Sequence, residues 1–262
     1  MREPLINIAI EAARSGGNLI MRAMKRMDTV QISEKGHNDF VTEVDQRVER
    51  EIIDIIHKSY PNHAILAEES GESGDDETVW IIDPLDGTRN FIHGFPHFAI
   101  SIAVMVKNRL EHAVIYDPLR QELFTASRGK GAKLNDRRIR VSPRKELETC
   151  LLGTGFAYRH TDPDNEIAPK LLQNLLGTCG DVRRAGAATL DLAYVACGRL
   201  DGFWEHGLKV WDMAAGVLLI KEAGGMVTDT DGGENYLKSG NILGANPILV
   251  RQMLKTMKPV LV

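Results

Sequence analysis

The sequence has few cysteines, no long apolar run and little excess charge, and each shortage argues against a class of protein. Cys150, Cys179 and Cys197 are the three cysteines of 262 residues, and their spacing matches no zinc site. We therefore expect reduced thiols in a cytoplasmic protein. No segment approaches the roughly 18 apolar residues of a transmembrane helix, and none has the pattern of a signal peptide, so we expect no membrane partner. The net charge of -4 argues against binding nucleic acid by bulk charge.

The length and the order of segments indicate one large domain. A chain of 262 residues can bury a sizeable core. The segment Phe98–Val141 contains short strand-like runs separated by turn signals such as Gly129-Lys130-Gly131, which predicts an antiparallel meander. We predict a single domain over residues 1–262, with an α+β half to about residue 145 and an α/β half after it, built from packed layers of helix and sheet.

Hydrophobic periodicity predicts the positions of the helices and strands. The predicted helices are Pro4–Lys25, Val44–Lys58, Pro163–Leu176, Ala188–Cys197, Asp212–Ala223 and Pro247–Met257. The predicted strands are Ala64–Glu68, Val79–Ile82, Phe98–Lys107, Glu111–Tyr116, Glu122–Ser127, Leu151–Gly155, Gly202–Glu205 and Ile242–Ala245.

The stretch Trp80–Phe91, WIIDPLDGTRNF, places two aspartates directly after an apolar strand. Pro84 cannot continue a strand ladder, so we expect the strand to end there and Asp83 and Asp86 to lie in the following loop. Gly87 permits a sharp turn, and Thr88 is predicted to be the N-cap of a short helix whose free N–H groups suit phosphate. Carboxylates would repel a phosphate unless cations lay between them, and Mg²⁺ binds both kinds of oxygen.

Further acids lie at the ends of other predicted elements. Glu68 and Glu69 end the strand of AILAEES, Asp45 and Asp212 begin helices, and Glu205 ends the strand GFWE. Each acid alone could be structural, because aspartate is a common N-cap and strand ends are often solvated. Their combination with the Asp-Gly-Thr turn favours a metal-dependent phosphate site, since catalytic groups concentrate at such ends.

Two long motifs resemble the signatures of the inositol monophosphatase family. DPLDGTRNF resembles the first signature, and WDMAAGVLLIKEAGG resembles the second. The segments KGHNDFVTEVD, AEES and RRAGAATLDLAYVACGRLDGFWE occur in the family's order, so the resemblance covers about residues 5–257. It implies an αβαβα sandwich, Mg²⁺-dependent hydrolysis of a small phosphorylated polyol such as an inositol monophosphate, sensitivity to lithium, and a homodimer.

The resemblance also implies a set of metal ligands, with two to three Mg²⁺ per active site. Glu68, Asp83 and the carbonyl of Leu85 would hold the first ion. Asp83, Asp86 and Asp212 would hold the second, and Glu68 would share a looser third with Glu69 nearby. The first would activate the attacking water and the second would stabilise the leaving alkoxide.

Catalytic and substrate-binding roles are implied in the same way. Glu68 would act on the attacking water through the first ion, and Thr88, hydrogen-bonded to Asp45, would help to orient and deprotonate that water. The backbone N–H groups of Gly87 and Thr88 would hold phosphoryl oxygens beside Asp86. The implied contacts of the polyol hydroxyls are Glu205, Asp212, Arg183 and the backbone from Gly186 to Ala188.

Two positions depart from the family pattern, and the substrate stays open. Arg89 replaces a small hydroxyl residue and could contact phosphate or face solvent, and Ala187 replaces a frequent Ser or Thr. Fructose-1,6-bisphosphate, NADP and 3′-phosphoadenosine-5′-phosphate are alternative substrates used on related scaffolds. The bacterial members that the chain resembles imply a different role, as a partner of NusA and RNA polymerase in transcription antitermination on ribosomal RNA operons.

Overall fold

The helices of the protein agree closely with the periodicity of its sequence. The structure is a computed structural model that describes residues 4–26, 32–36, 39–156 and 167–261. The helices are α1 (Pro4–Met24), α2 (Glu43–Ser59), α3 (Thr88–Ile92), α4 (Ile167–Leu176), α5 (Ala188–Ala196), α6 (Val210–Glu222), α7 (Tyr236–Ser239) and α8 (Pro247–Leu261). The predicted start of α4 at Pro163 lies outside the described residues. Among the described residues no helix is long and apolar enough to cross a membrane.

The strands form an eight-stranded sheet, a five-stranded sheet and one small hairpin. Their bounds are β1 (Ile32–Gly36), β2 (Asp39–Thr42), β3 (Ala64–Ala67), β4 (Gly71–Ser73), β5 (Thr78–Asp86), β6 (Ala99–Val106), β7 (Arg109–Asp117), β8 (Glu122–Ser127), β9 (Gly131–Leu134), β10 (Arg137–Arg138), β11 (Leu151–Thr154), β12 (Asp181–Arg183), β13 (Gly202–Glu205), β14 (Met226–Thr228) and β15 (Ile242–Ala245). The predicted strands are present, and the short strands β1, β2, β4, β9, β10, β12 and β14 are additional.

The larger sheet has the order β10-β9-β8-β7-β6-β5-β3-β4, and the smaller has the order β12-β11-β13-β15-β14. From β5 to β10 every pairing is antiparallel, which confirms the predicted meander. Strands β3 and β5 run parallel, with Ala67 opposite Ile82. The chain segments that follow these two strands therefore leave the sheet at the same edge.

Three hydrophobic clusters hold five layers together. Helices α1 and α2 cover one face of the larger sheet, α5 and α6 lie between the two sheets, and α4 and α8 cover the outer face of the smaller sheet. Successive residues of β5 alternate between the clusters, since Ile81 packs toward α5 and α6 and Ile82 toward α1 and α2. The order of layers is the predicted αβαβα sandwich.

Strand β5 continues beyond the point where the sequence predicts its end. Asp86 pairs with Ala99 of β6, and the register shifts between Asp83 and Asp86. The expected end at Pro84 is therefore wrong, and Asp83 and Asp86 belong to the strand rather than to a loop. A bulge leaves part of the strand out of the ladder, so the missing N–H of Pro84 costs no sheet hydrogen bond there.

Candidate active site

Four carboxylates converge where β3, β5 and α6 meet. Asp83 is 1% exposed, and its pKa is raised well above the ordinary value by burial and by the negative charges of Glu68, Asp86 and Asp212. Glu68 also shares a hydrogen bond with the Asp83 side chain. The structure thus brings together four of the acids that the sequence singled out.

Parallel pairing of β3 and β5 explains the position of Glu68. Its backbone N–H donates to the carbonyl of Ile82 at 3.1 Å, which places Glu68 beside Asp83 at one sheet edge. The buried carboxylate of Glu49 accepts from the N–H groups of Glu69 and Ser70, both at 2.8 Å. Glu49 of α2 thus fixes the turn after Glu68. Sequence reasoning missed Glu49 because nothing local distinguishes it from other acids of α2.

The bulge in β5 directs Asp83 and Asp86 toward different partners. Asp83 Oδ1 accepts from the N–H of Leu85 at 3.0 Å. Asp86 Oδ2 accepts from the N–H of Thr189 at 2.8 Å and from its hydroxyl at 2.6 Å. Asp86 thereby satisfies donors at the N-terminus of α5, as an N-cap side chain would.

Burial and hydrogen bonds act in opposite directions on the pKa of the Asp86 carboxyl. Burial raises the pKa of Asp86 to about 6, against hydrogen bonds from Thr189 and from the N–H groups of Gly87 and Ala188 that stabilise the charged form. The N–H groups of Gly87 and Ala188, predicted to contact substrate, therefore bond to Asp86 in this structure.

Asp212 reaches the cluster from the first turn of α6. Its Oδ2 accepts from the N–H of Lys209 at 2.7 Å, closing a capping interaction at the helix start. The hydroxyl of Ser101 on β6 donates to the carbonyl of Trp211 at 3.2 Å, which ties this turn to the larger sheet. The predicted position of Asp212 at a helix start is confirmed.

Thr88 and Asp45 form a hydrogen-bonded pair beside the carboxylates. The hydroxyl of Thr88 lies 2.9 Å from Asp45 Oδ1 and 3.0 Å from the carbonyl of Leu85. Asp45 lies in the first turn of α2 and is 1% exposed. The structure places the two residues together although 43 positions separate them in sequence.

Gly87, not Thr88, is the N-cap of α3, so that part of the sequence prediction is wrong. Gly87 adopts φ 88°, and a Cβ there would lie 2.9 Å from the carbonyl oxygen of His97. Thr88 is the first residue of the helix. Its hydroxyl bonds to Asp45 and to the carbonyl of Leu85, and it caps no N–H group of α3. Glycine is the residue that fits both the left-handed backbone and the close approach.

A second acidic pair lies on the C-terminal side of the site. The pKa of Glu205 is raised well above its ordinary value by burial and by the charges of Asp191, Asp212 and Asp86, while Arg184 opposes the shift. Asp191 is 2% exposed in α5, and burial with the charge of Asp86 raises its pKa. A Cβ on Gly155 would overlap the carboxylate of Glu205, so the backbone of Gly155 packs directly against that carboxylate.

Sequence reasoning missed Asp191, Arg184 and Asn90. The sequence signal for Asp191 was that it is the one acid in the apolar helix ATLDLAYVA. Because Asp191 is buried, its carboxyl cannot simply face solvent. Asn90 Nδ2 donates to the carbonyls of His97 at 2.7 Å and Ala185 at 2.9 Å. It thus joins α3 to the turn before α5, across 95 residues of sequence.

Some of the predicted substrate contacts adjoin the acids and others do not. Gly186 adopts φ 83° next to Asn90, and Ala188 begins α5 beside Asp86. The guanidinium of Arg183 pairs with Asp181 at 2.5 Å on the exposed edge strand β12, whereas Arg184 is the arginine whose charge acts on Glu205 and Asp191. Arg89 is exposed on α3.

The donors in this site suit a hard divalent cation. In the part of the chain that the structure describes, no three acid, His or Cys side chains are already disposed as a ligand set. The carboxylates instead bond to protein donors such as the N–H of Leu85 and Lys209. Buried like charges repel one another, and carboxylate and carbonyl oxygens are the ligands that Mg²⁺ prefers. The residues fit Mg²⁺ in donor chemistry, and the carboxylates would exchange these hydrogen bonds for metal bonds if the ion bound.

Proteins that are similar to this chain are named as inositol monophosphatases or as SuhB. The model of the inositol monophosphatase family matches residues 1–260. A Pseudomonas aeruginosa protein called "Nus factor SuhB" is 53% identical over an alignment of 264 positions, which covers 98% of this chain and 97% of that protein. The crystal structure of extragenic suppressor protein suhB from Bartonella henselae superposes with a TM-score of 0.94 at 42% identity, over 98% of this chain and 99% of that one. Inositol monophosphatase from Anabaena (Nostoc) sp. PCC 7120 gives 0.87 at 40% identity, over 97% and 95%.

Proposed function

Because this chain belongs to the inositol monophosphatase family, we propose that it is a Mg²⁺-dependent phosphatase that hydrolyses inositol monophosphates to inositol and phosphate. The observation that carries the proposal is the convergence of Glu68, Asp83, Asp86 and Asp212 beside the Thr88–Asp45 pair. Four carboxylates that repel one another at one sheet edge lower the stability of the fold. A bound cation would neutralise them, so a cation site explains why they occur together.

Glu68, Asp83, Asp86, Asp212 and the carbonyl of Leu85 would hold two to three Mg²⁺. The chemistry that Mg²⁺ supplies in such a site is neutralisation of the acids, binding of phosphoryl oxygens and a lowered pKa of water. Leu85 is suited to the role because its side chain is buried while its carbonyl already accepts from the hydroxyl of Thr88.

Thr88 and Asp45 would position and deprotonate the attacking water. The hydroxyl hydrogen of Thr88 is directed at Asp45 Oδ1 or at the carbonyl of Leu85, so its lone pairs are available to accept from a water molecule. The buried Asp45 carboxylate holds the hydroxyl in that orientation and is the acceptor for its proton.

The second acidic pair would recognise the polyol. Glu205 and Asp212 offer oxygens that accept from substrate hydroxyls, and Asp191 and Arg184 tune the charge of Glu205. The N–H groups of Gly87 and Thr88 would bind the phosphoryl group beside Asp86, with the Gly87 N–H exchanging its bond to Asp86 for one to phosphate. The turn at Gly186–Ala188 would border the sugar. Arg183 stays a prediction as a substrate contact, and Arg184 has the better position for one.

Phosphate release from a panel of esters tests the proposal. The panel holds myo-inositol-1-phosphate, fructose-1,6-bisphosphate, NADP and 3′-phosphoadenosine-5′-phosphate, each with Mg²⁺ and with EDTA. Wild type, Asp83→Asn and Asp75→Asn are compared, since Asp75 is an exposed acid that makes the matched control. We expect Mg²⁺-dependent release from the inositol ester that Asp83→Asn abolishes and Asp75→Asn preserves.

Other results would assign a different function. Turnover of one of the other three esters alone would keep the phosphatase and replace the substrate. Metal-dependent turnover that tens of millimolar lithium, an order-of-magnitude concentration, fails to inhibit would count against the second ion site. No turnover of any ester would reject the enzymatic proposal.

A second function, in transcription, is supported by the names of relatives. A protein that is 53% identical over nearly the whole chain is called a Nus factor. We propose that this chain also joins a transcription antitermination complex through NusA and RNA polymerase. Such a role uses the protein exterior, so it requires no turnover and is compatible with an intact site.

A pull-down with purified NusA and RNA polymerase separates the two functions. We expect Asp83→Asn to bind as wild type does while its hydrolysis is lost. Equal loss of both would mean that partner binding depends on the occupied active site. Size-exclusion chromatography with light scattering tests the accompanying proposal of a homodimer, and a monomeric mass would reject it.

A further inference from the structure

A basic cleft lies on the larger sheet, at the end away from the carboxylates. It has a volume of about 550 Å³ and is lined by Val106, Lys107, Arg109, Glu111, His112, Ser127, Arg128 and Lys130. Along β5 and β6, Thr78 pairs with Val106 at the cleft end, and Asp86 pairs with Ala99 at the active-site end. Eight residues of β5 thus separate the two places, a length of roughly 25 Å.

Positive charge dominates the basic cleft although the whole chain is acidic. Lys107, Arg109, Arg128 and Lys130 face one acid, Glu111, in a protein of net charge -4. Glu111 is already neutralised, since its carboxylate lies 2.7 Å from Nε of Arg109 and 3.2 Å from Nε of Arg128. A concave surface of one sign concentrates field lines and attracts ions of the opposite sign.

The guanidinium groups are held in place while their outer nitrogens stay available. Arg128 Nε donates to the carbonyl of Leu110 at 2.8 Å, and Arg109 Nε donates to Glu111. Among the described residues these two arginines bond only through Nε, and the Lys130 ammonium has no carboxylate within ion-pair distance. Lys107 pairs with Glu77 at 3.4 Å, but both side chains are more than 70% exposed. Such a pair contributes little.

The backbone that carries these cations is fixed by specific contacts. Glu222 at the end of α6 accepts from the N–H groups of Gly129 at 2.8 Å and Gly131 at 2.7 Å, which holds the turn bearing Lys130. Lys107 and the next residue adopt φ 52° and 59°, the left-handed pair of a tight hairpin between β6 and β7. The backbone that carries the charges is therefore in place before any ligand arrives, so binding needs to order only the side chains.

We propose that the basic cleft binds a small phosphate-bearing polyanion at a site separate from the candidate active site. Guanidinium forks match phosphate oxygens in geometry, and four cations around one depression suit an anion with several charges. The lining contains no Phe, Tyr or Trp on which a nucleobase could stack, and the ring of His112 belongs to a residue that is only 7% exposed. A compact oligophosphate or phosphorylated sugar fits these features better than a single-stranded nucleic acid does. The proposal is independent of the proposed function.

Calorimetric titration with methylenediphosphonate in EDTA tests this proposal. The probe has no bond that a phosphatase cleaves, and without Mg²⁺ the carboxylates of the active site repel it. We expect one molecule per chain, with affinity falling as salt is raised. Arg128→Gln and Lys130→Gln should each weaken binding about tenfold, as expected for loss of one charge-assisted contact.

Lys133→Gln provides the matched control, because Lys133 is an exposed lysine of β9 outside the basic cleft. It should leave binding unchanged. Lys130→Gln removes no ion pair among the described residues, so it tests the proposal even if loss of the Arg128 contact to Leu110 unsettles the fold. If Lys133→Gln weakened binding as much as Lys130→Gln, the affinity would depend on overall charge and not on the cleft, and the proposal would be overturned. Absence of binding by wild type, or binding abolished by Asp83→Asn, would overturn it as well.

Discussion

At the scale of single residues, the hydroxyl of Thr88 offers the sharpest test of the active site. It contacts Asp45 Oδ1 and the carbonyl of Leu85 and is the group proposed to orient water. We expect Thr88→Ala to lower kcat for the inositol ester by about 10²-fold or more, the usual contribution of a positioned proton-transfer group. Thr88→Ser keeps the hydroxyl and should retain most of the activity.

Steady-state kinetics and thermal melts of both variants distinguish catalysis from stability. A melt of Thr88→Ala close to that of wild type, with KM little changed, would place the loss in the chemical step. Equal activity of the alanine and serine variants would show that the hydroxyl has no part in the reaction.

His97 is a second residue with a measurable consequence, in this case for stability. It is 6% exposed, and its Nε2 has no hydrogen-bond partner among the described residues. Burial, with a smaller effect of the Arg120 charge, lowers the pKa of His97 to about 4, and Asp117 opposes this. In the unfolded chain the pKa is near 6.5, so between about pH 6.5 and 4 the unfolded state binds a proton that the folded state excludes.

His97 should therefore make the protein less stable as pH falls through that window. We expect His97→Gln to reduce the loss of unfolding free energy between about pH 7 and pH 4.5 by roughly 2 kcal/mol relative to wild type. Urea titrations at the two pH values measure the difference, with the exposed His93→Gln as control. An unchanged pH dependence in His97→Gln would mean that His97 is not neutral by burial.

At the scale of elements, the close packing of α5 on α6 positions groups from both helices in the site. A Cβ on Gly216 of α6 would lie 2.5 Å from Cβ of Leu192 on α5. In an open helix, alanine for glycine would stabilise by about 0.5–1 kcal/mol, but overpacking of a tight contact costs about 1–3 kcal/mol. We expect Gly216→Ala to destabilise the protein and to lower activity, because α5 carries Thr189 and α6 carries Asp212.

Urea denaturation and phosphate release of Gly216→Ala check this expectation. Gly177→Ala is the control, since a Cβ at Gly177 would meet its nearest atoms only at 3.6 Å. If Gly216→Ala were as stable as wild type, the two helices would have room to separate, and the close contact would not be what fixes the site.

The elements also show what the sequence could predict. The packed layers of helix and sheet and the meander followed from periodicity and turn signals, which are local. The αβαβα order and the grouping of the acids into one site were implied by the resemblance of the motifs to a known family. The extension of β5 past Pro84 could not be predicted, since a bulge depends on pairing with β6. Glu49 and Asn90 act through partners that are distant in sequence, and no local pattern distinguishes them. Asp191 had one local signal, as an acid in an apolar helix, but that signal does not reveal its neighbour Asp86.

At the scale of the whole molecule, the site exists only where the two sheets are packed together. Asp83 and Asp86 come from the larger sheet, whereas Asp212 and Glu205 come from elements that follow residue 200. The hydrogen bonds from Thr189 to Asp86 and from Asn90 to Ala185 cross between these parts. Formation of the site is therefore coupled to the packing of the complete sandwich rather than to either sheet alone.

This coupling predicts that the metal and the acids affect global stability in opposite directions. In EDTA near neutral pH, Asp83→Asn removes one of four clustered acids from a position that is 1% exposed. We expect the metal-free variant to be more stable than metal-free wild type by about 0.5–2 kcal/mol, as for other sites that trade stability for function. With Mg²⁺ at about 100 times its Kd, wild type should gain about 2.7 kcal/mol, and the variant much less.

Thermal melts in EDTA and in Mg²⁺ test this prediction on wild type, Asp83→Asn and Asp75→Asn. In EDTA the Tm of Asp83→Asn should be above that of wild type, and in Mg²⁺ it should be below. Asp75 is exposed, so its variant should follow wild type in both conditions. A lower Tm for Asp83→Asn in EDTA would show that the Asp83 carboxylate stabilises the fold through its hydrogen bonds to Leu85 and Glu68. In that event the acids would be a structural network, and repulsion between them could not be what a cation relieves.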